Sequence, residues 1–369
     1  MTRALALARR GLGRTHPNPP VGAVFVRAGE VLGEGFHRRA GCPHAEIEAL
    51  HAAGGAVRGA TLYVTLEPCS HEGRTPACVA ALRALGLRRV VVAMVDPNPR
   101  VRGRGIRLLR ASGVRVDVGL GAAQAADLTA GYRSWITRGR PLITLKLAAS
   151  LDGGIATAQG RSRWITGRPA RRHARGLRAA SDAIAVGSET VRRDDPRLTC
   201  RLRGGANPMR VVLCGAALRI PLGAAVFGPE APTVVVAPRG ADPHRLAALE
   251  RRGVEVLCLR ARGERVPFER VASALGARGI TTLLIEGGGT VAADALRARS
   301  VDRVVWYAAP LILGGDARSA VGALGVRAIA DGIRLRDVTV AALGADLVVS
   351  GRVAYAGARR AVASPQGAR

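Results

Sequence analysis

Lysine is nearly missing from this chain: Lys146 is the one lysine among 56 basic residues. Genome-wide codon bias produces such a skew, so the formal charge of +29 does not by itself argue for a nucleic-acid partner. Aromatic residues are scarce as well, at 3%, too few for the stacking platforms of single-strand binders. The arginines are spread along the chain and form no stripe; part of their charge is expected to serve phosphorylated, anionic ligands. Long apolar runs are absent, and nothing approaches the roughly 18–20 residues of a membrane span. The opening Met1–Arg10 is broken by Arg3, Arg9 and Arg10, too early for a secretory core. Its lack of acids raises a transit peptide, but a motif at His16 follows too closely for this helix to be discarded. It reads as the first helix of a cytoplasmic protein. A disulfide framework is missing too, because Cys42, Cys200, Cys214 and Cys258 are scattered, which fits a reducing compartment.

What is present is material for two cores, with 48% hydrophobic residues in 369. The remaining two cysteines belong to a pattern. Pro43-His44-Ala45-Glu46 is followed by Glu67-Pro68-Cys69-Ser70-His71-Glu72-Gly73-Arg74-Thr75-Pro76-Ala77-Cys78. One imidazole (His44) and two thiols (Cys69, Cys78) are three zinc ligands, which leave a fourth tetrahedral position for water. Zinc lowers the pKa of that water and yields hydroxide as a nucleophile. Glu46 stands two residues past the histidine, close enough to shuttle protons as the catalytic acid/base without being a ligand. Together these residues form the zinc-deaminase constellation, in which two residues usually separate the cysteines. Here eight do. Cys42 as a fourth ligand would close the site to water, so a free thiol is the preferred reading. The context fits: residues 60–66 read as a buried strand delivering Cys69, and 46–52 and 78–85 as short helices. A ligand at a helix N-terminus gains from the dipole, which favours thiolate.

Along the chain, residues 21–26 and 31–37 predict a β-hairpin, followed by alternating helices and strands to a helix over about 122–137. That order implies a three-layer α/β/α sandwich. Arg138-Gly139-Arg140-Pro141 is the best linker candidate, and beyond it the pattern restarts at Leu142. Apolar strand runs follow at 183–186, 210–213, 233–236, 254–257, 282–285, 303–307 and 347–353. Glu286-Gly287-Gly288-Gly289-Thr290 is a glycine turn between a strand and a helix, suited to a phosphate but without the full dinucleotide fingerprint. A plain tight turn is the other reading. No internal repeat is evident.

Several of these motifs together resemble one family. His16-Pro17-Asn18-Pro19, Val21-Gly22-Ala23-Val24, Pro43-His44-Ala45-Glu46 and the 67–78 stretch with its eight-residue spacer are similar to the bifunctional riboflavin-biosynthesis deaminase/reductases. So are Asp96-Pro97-Asn98-Pro99, Ser150-Leu151-Asp152-Gly153 and Asp194-Asp195-Pro196, a likeness running from about residue 4 to 355. The resemblance implies a cytidine-deaminase-like domain over 1–139 and a dihydrofolate-reductase-like α/β domain over 140–358; by its own residues the end, 359–369, reads as a disordered tail. The resemblance further implies Zn2+-dependent removal of the 2-amino group from 2,5-diamino-6-ribosylamino-4(3H)-pyrimidinone 5′-phosphate, then NADPH reduction of the ribosyl group to ribityl. Asn18, His37, His71 and Arg74 would contact the deaminase substrate; a guanidinium fork suits its phosphate. His37 as a strand-end surface residue and Arg74 as a solvated arginine are the bland readings.

For the reductase, the resemblance implies cofactor contacts at Ala148, Trp164, Thr190, Asp194 and the turn Gly288, Gly289, Thr290, Val291, Ala292, Ala293 and Asp294. It implies substrate contacts at Ser162, Arg178, Leu198, Arg201 and Glu286. Lys146 opens the reductase's first motif; packing against its own strand is the competing role. Asp194 is the candidate proton donor. Two departures from the family pattern, Gly154 in place of a basic residue and Cys214-Gly215 in place of Asp-Ser, put the second activity in question. An RNA-binding base deaminase, or a deaminase with a degenerate second domain, are the alternatives. A small phosphorylated pyrimidine as the partner, no nucleic acid, no membrane and a homo-oligomer are the expectations.

Overall fold

Helix α1 (Thr2–Arg9) forms because its apolar residues fall on one face: Ala4, Leu5, Leu7 and Ala8 are buried, while Arg3 and Arg9 are exposed. The computed structural model describes residues 1–70 and 77–355. After α1 come β1 (Gly22–Arg27), β2 (Glu30–Phe36), α2 (Ala45–Ala52), β3 (Thr61–Val64) and α3 (Cys78–Ala84). Next are β4 (Arg89–Val92), α4 (Arg104–Ala111), β5 (Arg115–Val118), α5 (Ala122–Leu128) and α6 (Ala130–Arg138). The chain continues through β6 (Leu142–Ser150), β7 (Gly154–Ala156), α7 (Arg168–Ala179), β8 (Ala183–Gly187), α8 (Ser188–Asp194) and β9 (Met209–Leu213). Then follow β10 (Thr233–Pro238), α9 (Pro243–Glu250), β11 (Glu255–Leu259), α10 (Phe268–Ala277), β12 (Thr282–Glu286) and α11 (Gly289–Arg297). The last strands are β13 (Arg303–Ala309), β14 (Arg318–Ser319), β15 (Arg334–Leu343) and β16 (Asp346–Ala354).

These elements form two compact units that are not contiguous in sequence: Met1–Leu142 with His173–Leu284, and Ile143–Arg172 with Ile285–Arg369. In the first unit the expected hairpin is present, and its sheet runs β2-β1-β3-β4-β5. Strand β1 is antiparallel to both neighbours, whereas β3, β4 and β5 are parallel. Alternation along β1 sorts the layers. Ala23 and Phe25 pack with Ala45, Ala49, Val79, Leu82, Ile106 and Leu109 from α2, α3 and α4. Val24 points the other way, to Ala4 and Leu7 of α1. This is the expected helix–sheet–helix sandwich.

The same unit holds the parallel run β8-β9-β10-β11 over a core that includes Ile184, Val212, Val235 and Leu249. Helix α6 meets α10 there: the Trp135 indole N–H donates to the Gly276 carbonyl at 2.8 Å. A Cβ at Gly276 would lie 2.2 Å from the Gly139 carbonyl oxygen, so only glycine permits that approach. In the second unit β6 is parallel to β13, which is antiparallel to β16, with β15 beyond it.

Three elements differ from expectation. The helix over 122–137 is two helices, broken at Thr129, whose hydroxyl donates to the Ala125 carbonyl at 2.8 Å. Helix α7 carries arginine at five of twelve positions, and its apolar stripe is narrow, made of the small Ala170 and Ala174 with Leu177. Strand β15 is exposed along almost its whole length, so it lacks the alternation that reveals a strand. Among the described residues no helix is long and apolar enough to cross a membrane.

Candidate active sites

The three ligand candidates arrive on three different elements. His44 is the N-cap of α2, Cys78 is the first residue of α3, and Cys69 lies on the segment that follows β3. The glycines of β2 let α2 lie close: a Cβ at Gly33 would meet the Ala49 carbonyl at 2.4 Å, and one at Gly35 the Ala49 nitrogen at 2.5 Å. His44 Nδ1 is 3.2 Å from Cys78 Sγ and 3.5 Å from Cys69 Sγ, and all three donor atoms lie within 4.8 Å of one another. One nitrogen and two sulfurs at that spacing suit a tetrahedral zinc ion with an open fourth position. Cys42 is not part of the group.

Electrostatics separate the two thiols. The Cys69 thiol is held far below its usual range by the Cys78 S–H, His44 and the Cys78 backbone N–H, which donates at 3.3 Å. Cys78 moves in the opposite direction, because it hydrogen-bonds to Cys69 and is buried. The His44 imidazole is raised, first by its bond to Cys69. Glu46, on the first turn of α2, is 3% exposed. Burial, then the charge on Cys69, pushes its carboxyl up to about 7.

His37 is no surface residue; it is 2% exposed. Its Nδ1 lies 3.1 Å from the Pro43 carbonyl oxygen and its Nε2 3.0 Å from the Asn18 side-chain nitrogen. Its ring stands edge-on to His44, with centroids 5.3 Å apart. Burial lowers its pKa, which favours the neutral ring. The structure therefore gathers Asn18, His37, His44, Cys69 and Cys78. His71 and Arg74 lie outside the described residues.

Glu67 is a site-building residue that motif reasoning passed over. Its buried carboxylate accepts from the backbone N–H groups of Asp96 at 3.1 Å, Gly103 at 2.8 Å, Gly105 at 2.9 Å and Ile106 at 3.3 Å. It thereby ties the Asp96 turn and the start of α4 to the segment bearing Cys69. The signal available in sequence was its place two residues before that cysteine.

The reductase candidates fall in both units. In the second, Glu286 ends β12 at 7% exposure, and Lys146 Nζ on β6 stands 3.8 Å from its Oε2 and 5.6 Å over the Tyr307 ring. Gly287 and Gly288 follow with φ of 120° and 61°, and α11 starts at Gly289. Thr290, Val291, Ala292 and Ala293 form the first turns of that helix, and Asp294 pairs with Arg297. Trp164 is 67% exposed, with the Arg171 guanidinium 4.4 Å above its ring. Ala148 and Ser162 are half-buried. An exposed ring, a cation and a helix N-terminus entered through positive-φ glycines fit an anionic dinucleotide.

In the first unit Arg178 donates to the Thr199 carbonyl at 3.0 Å and Arg201 Nε to the Thr199 hydroxyl at 3.3 Å. Leu198 and Arg201 both take positive φ, 54° and 55°, so these two substrate candidates share one strained turn, which Arg178 reaches from α7. Thr190 and Asp194 lie on α8.

The two departures have physical contexts. Gly154 donates its N–H to Ser150 Oγ at 2.8 Å, and a Cβ there would come within 3.0 Å of Leu313 and Ser150. A long basic side chain would require those neighbours to move. Cys214 is 6% exposed in the β8–β11 core, and burial pushes its thiol up to about 12, so it is a neutral packing group.

Comparison with known proteins adds to this geometry. The family model for the cytidine and deoxycytidylate deaminase zinc-binding region matches residues 1–94, and that for the RibD C-terminal domain matches 141–349. The riboflavin biosynthesis protein RibD of Aquifex aeolicus (strain VF5) is 42% identical over 95% of this chain and 96% of its own. Two solved structures are similar over 96% of this chain and 97% of theirs. Acinetobacter baumannii RibD, form 1, has a TM-score of 0.85 at 38% identity. A diaminohydroxyphosphoribosylaminopyrimidine deaminase/5-amino-6-(5-phosphoribosylamino)uracil reductase from Thermotoga maritima has 0.84 at 34%.

Proposed function

The chain belongs to the bifunctional riboflavin-biosynthesis deaminase/reductase family, and from that membership we propose what its own residues do. It is a zinc-dependent deaminase joined to an NADPH-dependent reductase, and the RNA-deaminase reading is not favoured. The substrate is the diaminopyrimidinone ribotide, and the product is 5-amino-6-ribitylamino-uracil phosphate.

In the first reaction His44, Cys69 and Cys78 hold the metal. When bound, zinc supplies a Lewis acid that acidifies the attacking water. Glu46 takes the proton from that water and delivers it to the amine. The C–N bond then breaks, ammonia leaves and a carbonyl remains. Asn18 and His37 hold the pyrimidine edge, and His71 and Arg74 receive the sugar phosphate. Burial of Glu46 beside the three convergent ligand atoms is the observation that carries this reading.

In the second reaction Trp164, Ala148, Thr190, Asp194 and residues 288–294 hold NADPH, which when bound supplies the hydride that turns ribosyl into ribityl. Ser162, Arg178, Leu198, Arg201 and Glu286 bind the substrate, and Lys146, 3.8 Å from its Oε2, aims Glu286. The domains are 1–139 and 140–358; the matched spans beginning at 1 and 141 support that cut. The tail over 359–369 lies outside the described residues. The partner is a small phosphorylated pyrimidine, with neither nucleic acid nor membrane. Six free cysteines support a cytoplasmic location, and exposed Val338 and Val340 on β15 support self-association.

Purified zinc-loaded protein given the ribotide should release ammonia and oxidise NADPH in equal amounts. Ammonia without NADPH loss would remove the reductase assignment; neither would remove the substrate.

A further inference from the structure

His16 opens the His16-Pro17-Asn18-Pro19 motif, yet neither reaction has used it. Its Nδ1 lies 3.3 Å from Oδ1 of Asp182, the residue just before β8, in the same compact unit. The separation is that of an ion pair, although the approach is off the line of a hydrogen bond. Asp182 is 5% exposed and is fixed from its other oxygen. Oδ2 accepts from the Thr281 N–H at 2.9 Å, the Thr281 hydroxyl at 2.6 Å and the Thr282 N–H at 3.0 Å. The Asp182 N–H donates to the Thr282 hydroxyl at 2.8 Å. One carboxylate oxygen is thus immobilised, and the other is turned toward His16. A buried carboxylate left half-satisfied is costly, so the imidazole is held where it is.

Nearby residues follow the same path. A Cβ at Gly13 would lie 2.2 Å from the Ala179 carbonyl, Arg14 donates to the Gly204 carbonyl, and a Cβ at Gly279 would touch Pro17 at 3.4 Å. At the far end of the motif the Asn18 N–H closes a turn onto Thr15 at 2.8 Å, while its amide reaches His37. We propose that His16 is a positioning residue for deamination: clasped by Asp182, it fixes the loop that presents Asn18 to the substrate. The deaminase substrate site is thereby built partly on the segment that begins β8. This rests on the reading of Asn18 as a substrate contact. Because Asn18 holds substrate and transition state alike, loss of the clasp weakens binding more than it slows chemistry.

The test uses full-length, zinc-loaded protein carrying His16→Gln, Asp182→Asn, both together, and Asn18→Ala as reference. Ammonia release gives kcat and KM for deamination; NADPH oxidation with the separately prepared deaminated ribotide reports the other site. The expected result is a deamination KM about tenfold higher in either single variant. The double variant should go no further, with kcat within about twofold and reduction unchanged in His16→Gln. An unchanged KM in His16→Gln beside a raised one in Asn18→Ala would overturn the clasp alone. No effect in Asn18→Ala would overturn the reading of Asn18 and this inference with it. Additive effects in the double variant would show that the two residues act separately, and would overturn it. A joint fall of both activities and zinc content in His16→Gln would make His16 a folding residue and overturn it too.

Discussion

His37 donates its Nδ1 proton to the carbonyl oxygen of Pro43, 3.1 Å away, because that oxygen can only accept. The tautomer is thereby set: Nε2 is left as an acceptor, and the Asn18 amide nitrogen donates to it at 3.0 Å. His37→Phe keeps a ring of similar size but removes both bonds. Deamination KM should rise by about tenfold, the cost of one unsatisfied buried donor. Steady-state ammonia release measures it, and a KM equal to the parent's would exclude His37 from the substrate-holding chain.

Glu46→Gln preserves shape and hydrogen bonding and removes the proton shuttle. Deamination should fall by roughly 10²–10⁴-fold. Zinc content, read by elemental analysis, and reduction of the deaminated ribotide should stay at parental levels. Loss of zinc in this variant would instead place Glu46 among the ligands.

Gly35→Ala tests the seating of α2. The added methyl would meet the Ala49 nitrogen at 2.5 Å, Glu48 Cβ at 2.6 Å and the Ala45 carbonyl at 2.7 Å, all in or bordering the turn that carries Glu46. Destabilisation of about 1–3 kcal/mol follows from such overpacking. Urea unfolding followed by fluorescence checks it, with weaker zinc retention expected alongside; parental stability would mean that α2 slides freely on β2.

The His16–Asp182 pair gives stability a pH window. Pairing with Asp182 raises the His16 pKa above 6.5, so its contribution is complete below 6.5 and fades as pH climbs through the raised value. Burial opposes the charge on Asp182, but His16 and Thr281 outweigh it and hold the carboxyl below 3.8. That contribution is present above 3.8 and is lost as pH falls through the lowered value. The gap in melting temperature between the parent and His16→Gln should therefore be wide at a pH below 6.5 and narrow at a pH well above it. Calorimetry at the two pH values decides; an equal gap at both would show that charge is irrelevant to the contact.

Lys146→Met removes the cation 3.8 Å from Glu286 while keeping the aliphatic stem along β6. Stripping one partner from a buried pair should lower reductase kcat/KM by at least about tenfold and leave ammonia release untouched. Full reductase activity would reduce Lys146 to a packing role against Tyr307.

The convergence of His44, Cys69 and Cys78 was legible in the sequence because metal chemistry confines the choice of residue and packs it into short windows. His44 and Glu46 share one helical turn, and Cys78 starts another. Glu67 escaped because its four partners are backbone N–H groups, which leave no mark on residue identity. The fold class followed from continuous apolar runs in β1 and β8–β10, whereas β15, wet on both faces, had none to read. The doubt over Cys214 came from its letter alone; its place among core side chains is a tertiary fact. The expected two-part fold, cytidine-deaminase-like then dihydrofolate-reductase-like, is the one the family has.

The seam between α6 and α10 bears on how such an enzyme can be taken apart. If the chain were severed after Gly139 and the pieces parted, the Trp135 indole N–H would be left without the Gly276 carbonyl and the glycine-lined approach beside it would open. A fission of the gene there would yield two proteins with matched scars, each exposing what the other had covered. Replacing α10 by an unrelated helix would leave the α6 side of that seam raw. Helices α6 and α10 are cut to one another as a joint is in carpentry, and a change on either face requires recutting its mate.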